Sequence, residues 1–276
     1  MRTVAELGLN PSRRSALTRR ELPKIANRAH TAALRKGVEF WNEWRIKNPD
    51  VQPDLSKCRL SEVDLRHADF RGTNLHAAWL FSANLADASL VGVDLTGAEI
   101  IRTRLDNANL SGANLDGTRL LRVSLRGVIL DGSTVLDDKW RLVRDLATTG
   151  ALGHDLGGVD LECADLSEAD LRGAQLPGAR LFLAEINRAN LSGANLKGVR
   201  LESAELEEAS MNQADLSGSD LTRAKLAHAD LGSADLRNSN MGSADLTGAD
   251  LRQRSRPSGP THRVFETSFR PYDFSA

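Results

Sequence analysis

The residues best suited to chemistry are six histidines, two cysteines and many carboxylates. His30, His67, His76, His154, His228 and His262 stand far apart and show no metal-ligand spacing. Cys58 and Cys163 are too few for a disulfide framework or a zinc site of their own. No Gly-rich phosphate loop, nucleophile elbow or other catalytic signature occurs. The 37 acidic residues could supply paired carboxylates for acid–base work. Their placement argues otherwise, because Asp recurs directly before a Leu at intervals of five, where a turn-making residue is needed. The chain is expected to be no enzyme, with no metal and no cofactor. Cys58 reads as core packing. Cys163 reads as an outward corner thiol that is either reactive or merely exposed.

Positioning of these residues depends on an internal repeat, which decides architecture before anything else. From Leu55 to Leu130 an apolar residue falls on every fifth position, 16 times, and the rhythm resumes from Leu156 to Leu251 for 20 more. Of these 36 centres 31 are Leu, and the others are Phe70, Ile100, Ile186, Met211 and Met241. A small residue, usually Ala, sits two before each centre, and Asp or Asn dominates just before it. A period of five fits neither regular element: on a helix it smears around the cylinder, and on a straight strand it alternates faces. One apolar interior survives only if the chain turns at each pentapeptide. Gly72, Gly92, Gly112 and Gly132, and again Gly158, Gly178, Gly198 and Gly218, recur at 20-residue spacing. Every fourth corner is then equivalent, which makes a four-sided coil.

These A-(D/N)-L-x-x units resemble the pentapeptide repeat family. The resemblance implies an all-β solenoid, a right-handed quadrilateral β-helix, here in two blocks. Gly37-Val-Glu-Phe-Trp-Asn-Glu-Trp-Arg45, then Pro53-Asp-Leu55, is similar to the helical lead-in of bacterial members, as is the interruption Lys139-Trp-Arg-Leu-Val143. The expected organisation is a helical N-terminal cap over 1–52, about four coils over 53–133, and a helical interruption over 134–153. About five coils over 154–253 and a C-terminal tail over 254–276 follow. Nine stacked coils would measure roughly 43 Å.

Residues 1–52 are basic, and a helix is expected from Lys24 to Lys47, bent at Gly37, with Ile25, Ala29 and Ala32 on one face. Leu136, Trp140, Val143 and Ala147 share a helical face in the interruption, with Gly150 as a stop. The start of the chain shows no signal-peptide core, and its Arg content reads as a basic helical start rather than a transit peptide. No run of about 18 apolar residues exists, and net charge is −1, so no membrane association and a cytoplasmic protein are expected.

Outward positions divide by side. Phe81, Ile101 and Leu121 are spaced by 20 and should stack in one apolar column beside Trp79. Such a stripe marks something that binds over it: residues 24–47, residues 134–150, or another chain. In block two the side centred on Leu166, Ile186, Leu206, Leu226 and Leu246 carries Asp165, Glu168, Glu185, Glu205, Glu207, Glu208 and Asp245. Only Arg188 and Lys225, besides His228, oppose them there. This is either a solvated face or a field that steers a basic partner. Phe265, Phe269, Tyr272 and Phe274 gather half of the chain's Phe and Tyr in a Pro-rich tail. They either fold over the last coil or bind the same end of a second molecule, unless the tail is disordered.

Two function classes follow. The first is a scaffold or protein–protein interaction module with a protein partner and no direct nucleic-acid binding by the β-helix. The second, implied by the resemblance, is a DNA-mimicking binder or protector of DNA gyrase or topoisomerase that dimerises through its C-terminal end. The near-zero net charge and basic N-terminal segment depart from that second pattern.

Overall fold

The computed structural model describes residues 27–151 and 154–252. Parallel pairing joins residues 20 apart along both blocks, from Asp54↔Asn74 through Asp94↔Asn114 and from Asp155↔Gln175 through Asp230↔Asp250. Four pentapeptides therefore make one turn. A centre with a coil above it donates its N–H to that coil, as Leu55 does to Asn74 O at 2.8 Å and Leu206 to Lys225 O at 2.7 Å.

The corner is built locally. The Asp or Asn before a centre accepts a hydrogen bond from the N–H two residues on, as Asn74 Oδ1 does from His76 at 2.9 Å. The N–H three residues after the centre returns to the centre's carbonyl, as Ala209 does to Leu206 at 3.1 Å. The residue between them takes a left-handed conformation, with φ near +60° at His67, Glu168 and Ser203 and at Gly72. Centre and small residue then both point inward: Leu65, Ala68, Phe70, Ala164 and Leu206 are at most 2% exposed. Burying each Leu contributes about 1.5–3 kcal/mol before entropy. A narrow apolar channel remains along block two, lined by Leu156, Leu176, Leu196 and their neighbours.

Among the described residues three true strands form, all on the side centred on Leu80: β1 (Trp79–Phe81), β2 (Glu99–Ile101) and β3 (Arg119–Leu121). They pair in parallel in that order.

The N-terminal segment differs from the single bent helix expected. Gly37, at φ +107°, separates α1 (Arg28–Leu34) from α2 (Val38–Lys47). Ala29 and Ala32 face outward, and His30, Thr31, Ala33 and Leu34 turn inward. The reason is the edge of the first coil, whose polar backbone has no preceding coil to pair with. His30 Nδ1 accepts from Asp54 N–H at 2.9 Å. Trp41 Nε1 donates to Asp69 O at 2.8 Å, and Asn42 both donates to His67 O and accepts from Asp69 N–H. Arg45 donates to Val51 O and Arg71 O. Trp41 also stacks on Trp44 and tilts against Phe70, sealing the core.

Between the blocks the register slips by one residue. Asn114 pairs with Val135, one step beyond the usual 20, and pairing in block one thus reaches past residue 133. The extra residue lies in the turn after Leu130. Asp131 Oδ1 holds that turn, accepting from Gly112, Ser133 and Thr134 N–H and from both hydroxyls of the latter two. Gly132 accordingly leaves the left-handed corner conformation that Gly72, Gly92 and Gly112 share. Next comes α3 (Asp138–Thr149), which buries Trp140, Val143, Leu146 and Ala147. Ala151 N–H then donates to Asp170 O at 3.1 Å, the bond a centre makes. From Leu136 to Ala151 is three pentapeptides of chain, so the helix replaces sides of a coil and the single inserted residue accounts for the shift. Gly150 is required here: a Cβ on it would stand 2.3 Å from Asp170 O.

Candidate interaction surfaces

The apolar column forms in register, Phe81 beside Ile101 beside Leu121, with Trp79 beside Glu99. Its burial is graded. Trp79 and Phe81 are exposed at 44% and 38%, Leu121 is half-buried and Ile101 is buried at 6%. Trp79 and Phe81 stay exposed, and the described part of the first segment packs on the polar edge of coil one. Trp79 instead carries the Arg59 guanidinium, 4.3 Å from its ring centroid.

The acidic side of block two is rearranged by residues distant in sequence. Asp165, Glu185, Glu205, Lys225 and Asp245 line up in successive coils. Arg122, from block one, reaches over that line. Its guanidinium lies 3.2 Å from Glu185 Oε1 and 2.8 Å from Glu205 Oε1, and its Nε donates to Leu183 O at 3.0 Å. Its backbone N–H donates to Cys163 O at 2.7 Å. Arg126 pairs with Glu168 at 2.8 Å and donates to Ser167 O. Lys225 bonds Glu205 at 3.3 Å, and Arg188 bonds Glu208 at 3.0 Å. The side opposed only by Arg188 and Lys225 in a one-block count is thus also opposed by Arg122 and Arg126. Part of it is the seam between blocks. Glu207 and Asp245 stay outward on the same side, with Asp245 held by Thr247.

Burial separates the two glutamates that share Arg122. Loss of solvent pushes the Glu185 carboxyl up to about 7, against the pull of Arg122 and with the push of Asp165 and Glu205. Glu205 is also desolvated, but Arg122 and Lys225 together hold it below the usual glutamate range. The raised Glu185 and lowered Glu205 describe one shared cation, with the better-bonded carboxylate keeping the charge.

Many of the remaining aspartates serve the turns. Asp64–Arg66, Asp69–Arg71, Asp170–Arg172, Asp235–Arg237 and Asp250–Arg252 form forked pairs across a corner. Hydrogen bonds from Arg66 lower Asp64 to about 2. Cys58 is buried and its thiol is pushed up to about 11 by desolvation. Cys163 is half-buried, and desolvation likewise raises its thiol, which disfavours the reactive thiolate. Among the described residues no group of three or more His, Cys, Asp or Glu is placed to hold a metal ion. Phe265, Phe269, Tyr272 and Phe274 lie outside the described residues.

The family model for pentapeptide repeats matches this chain in eight copies, in overlapping stretches covering 58–134 and 155–253. The chain belongs to the pentapeptide repeat family. This pentapeptide repeat protein is similar to HetL from the cyanobacterium Nostoc sp. strain PCC 7120, a protein involved in heterocyst differentiation regulation. Identity is 25%, over 77% of this chain and 94% of HetL, with a TM-score of 0.23. A thylakoid-lumen pentapeptide repeat protein of Arabidopsis thaliana, AT2G44920, is 27% identical over 36% of this chain and 62% of its own, with a TM-score of 0.18. QnrB1, a plasmid-mediated fluoroquinolone resistance protein, is 20% identical over 71% of this chain and 88% of its own, with a TM-score of 0.19. Among curated proteins there is no significant match. No described helix is long and apolar enough to cross a membrane.

Proposed function

We propose that this protein is a non-catalytic interaction rod. In this reading a right-handed quadrilateral β-helix holds itself together with its interior and binds another protein with its outward side chains. The supporting observation is the division between inside and outside. Inward positions are filled by Leu and Ala, with a few Phe, Ile, Met, Val, Thr, Ser or Cys, and they leave binding to the surface. Trp79, Phe81, Ile101 and Leu121 are the apolar candidate contact, and the acidic side of block two is the charged one. The partner is a protein rather than a nucleic acid, since clustered carboxylates repel phosphates. The setting we infer is the cytoplasm. Phe265, Phe269, Tyr272 and Phe274 remain the candidate C-terminal cap or homodimer contact.

A second reading, a DNA mimic that binds gyrase or topoisomerase, is favoured by the seven carboxylates on the Leu206 side. Arg122, Arg126, Arg188 and Lys225 weigh against it, because they pair with Glu168, Glu185, Glu205 and Glu208. A gyrase supercoiling assay with purified protein separates the two. The interaction rod leaves supercoiling unchanged over a wide concentration range. Dose-dependent inhibition would overturn it in favour of the mimic.

A further inference from the structure

We propose that the β1–β3 sheet is the docking face for a partner segment whose apolar side chains are bordered by carboxylates. This rests on the interaction-rod reading and names the chemistry of its partner.

Elsewhere each side is paired only at isolated positions, whereas here pairing extends through three successive residues on three coils. The result is a small platform spanning two coil steps, roughly 10 Å along the rod. It presents Phe81 openly, Trp79 with one face under the Arg59 guanidinium, and Leu121 partly. Large apolar side chains on a flat surface are favourable anchors once a partner excludes water from them.

Charge then selects the partner. In block one this side carries Arg59, Arg102, Arg119 and Arg122 against Glu62 and Glu99. Arg122 pairs into the seam and Arg59 lies over the Trp79 ring; with Arg102 and Arg119 they leave this side of block one with more cations than carboxylates. The side centred on Leu75 has the opposite balance, Asp54, Asp94 and Asp116 against Lys57. A partner drawn to the apolar patch gains from carboxylates at its rim and loses from cations there.

The same balance disfavours the chain's own ends as occupants. Residues 1–26 carry Arg2, Arg13, Arg14, Arg19, Arg20 and Lys24 against Glu6 and Glu21. Residues 254–276 carry Arg254, Arg256, Arg263 and Arg270 against Glu266 and Asp273. Both have the sign of the face itself.

The test uses the full chain and two labelled synthetic 12-residue peptides, one alternating Phe or Leu with Glu and a twin with Lys in place of Glu. Fluorescence anisotropy should show the Glu peptide binding at least tenfold more tightly than its twin. Phe81→Ser should weaken it at least tenfold without moving the melting temperature, and Arg119→Glu should shrink the preference between peptides. Equal binding of the twins, no binding, or binding indifferent to Phe81→Ser would overturn the proposal. So would a tenfold gain in affinity on deleting 1–26 or 253–276, which would make a tail the occupant. A homodimer broken by Phe81→Ser would make the occupant a second copy and also overturn it. Failure here with supercoiling still unaffected would remove this partner and leave the interaction rod standing.

Discussion

Blocks one and two have the same inside and different outsides. Both stack Leu on Leu with Ala between, and both turn at Asp or Asn with a left-handed residue at the corner. Block one spends its outward positions on an apolar platform with an arginine border. Block two spends them on carboxylates, 16 acidic residues against 9 basic over 156–252. The inward half of each pentapeptide is constrained by packing and the outward half is not, so surfaces diverge while the frame stays constant. The seam is where the two surfaces meet, with arginines of the first block among carboxylates of the second.

The comparison is tested most strongly in the core. Leu105→Ala and Leu206→Ala, both centres with no exposure, should each cost about 3 kcal/mol in urea denaturation. A difference between them larger than about 1.5 kcal/mol would show that the two interiors are not equivalent.

The seam should respond next. Arg122→Ala leaves Glu185 and Glu205 close together and poorly solvated, and should cost about 2–3 kcal/mol. If Arg122 couples the blocks, unfolding of the variant should separate into two transitions. A single transition at unchanged midpoint would remove the seam from the account of stability.

The smallest effect is a pH dependence. The folded protein holds the Glu185 proton up to about 7, above the ordinary value of 4.5. Between those values the folded state binds more protons than the unfolded chain, so this group's contribution to stability falls as pH rises. Glu185→Gln should flatten the melting temperature across that window and raise it relative to the parent at pH 8. Acid loosening below pH 4 belongs to the turn aspartates, whose lowered values place their loss at the other end of the scale. An unchanged profile in Glu185→Gln would show that the carboxyl is well solvated.

Much of the frame was legible because each pentapeptide decides its own corner. Leu65, its small partner Ala68 and the turn at His67 lie within four residues of one another, so a period in the chain becomes a coil in space. The apolar column was legible for the same reason: spacing of 20 places Phe81, Ile101 and Leu121 side by side wherever the coil has four sides. The cap was legible as a helical segment at that end of the coil, but not in its contacts. Its inward face carries His30, Asn42 and Arg45, polar residues that no hydrophobic pattern selects, because their task is to satisfy unpaired backbone.

By itself the sequence determined the turns, the stacking period and the identity of the core, all of which depend on contacts within a pentapeptide or between neighbouring coils. Only the tertiary structure decided where α3 substitutes for sides of a coil, how Asp131 absorbs the one extra residue, and which carboxylates Arg122 finds. Arg122 and Glu205 lie 83 residues apart. Nothing local favours their meeting, and the pairing exists because four-sided coils on either side of the interruption bring the corner after Leu120 onto the corner after Leu161.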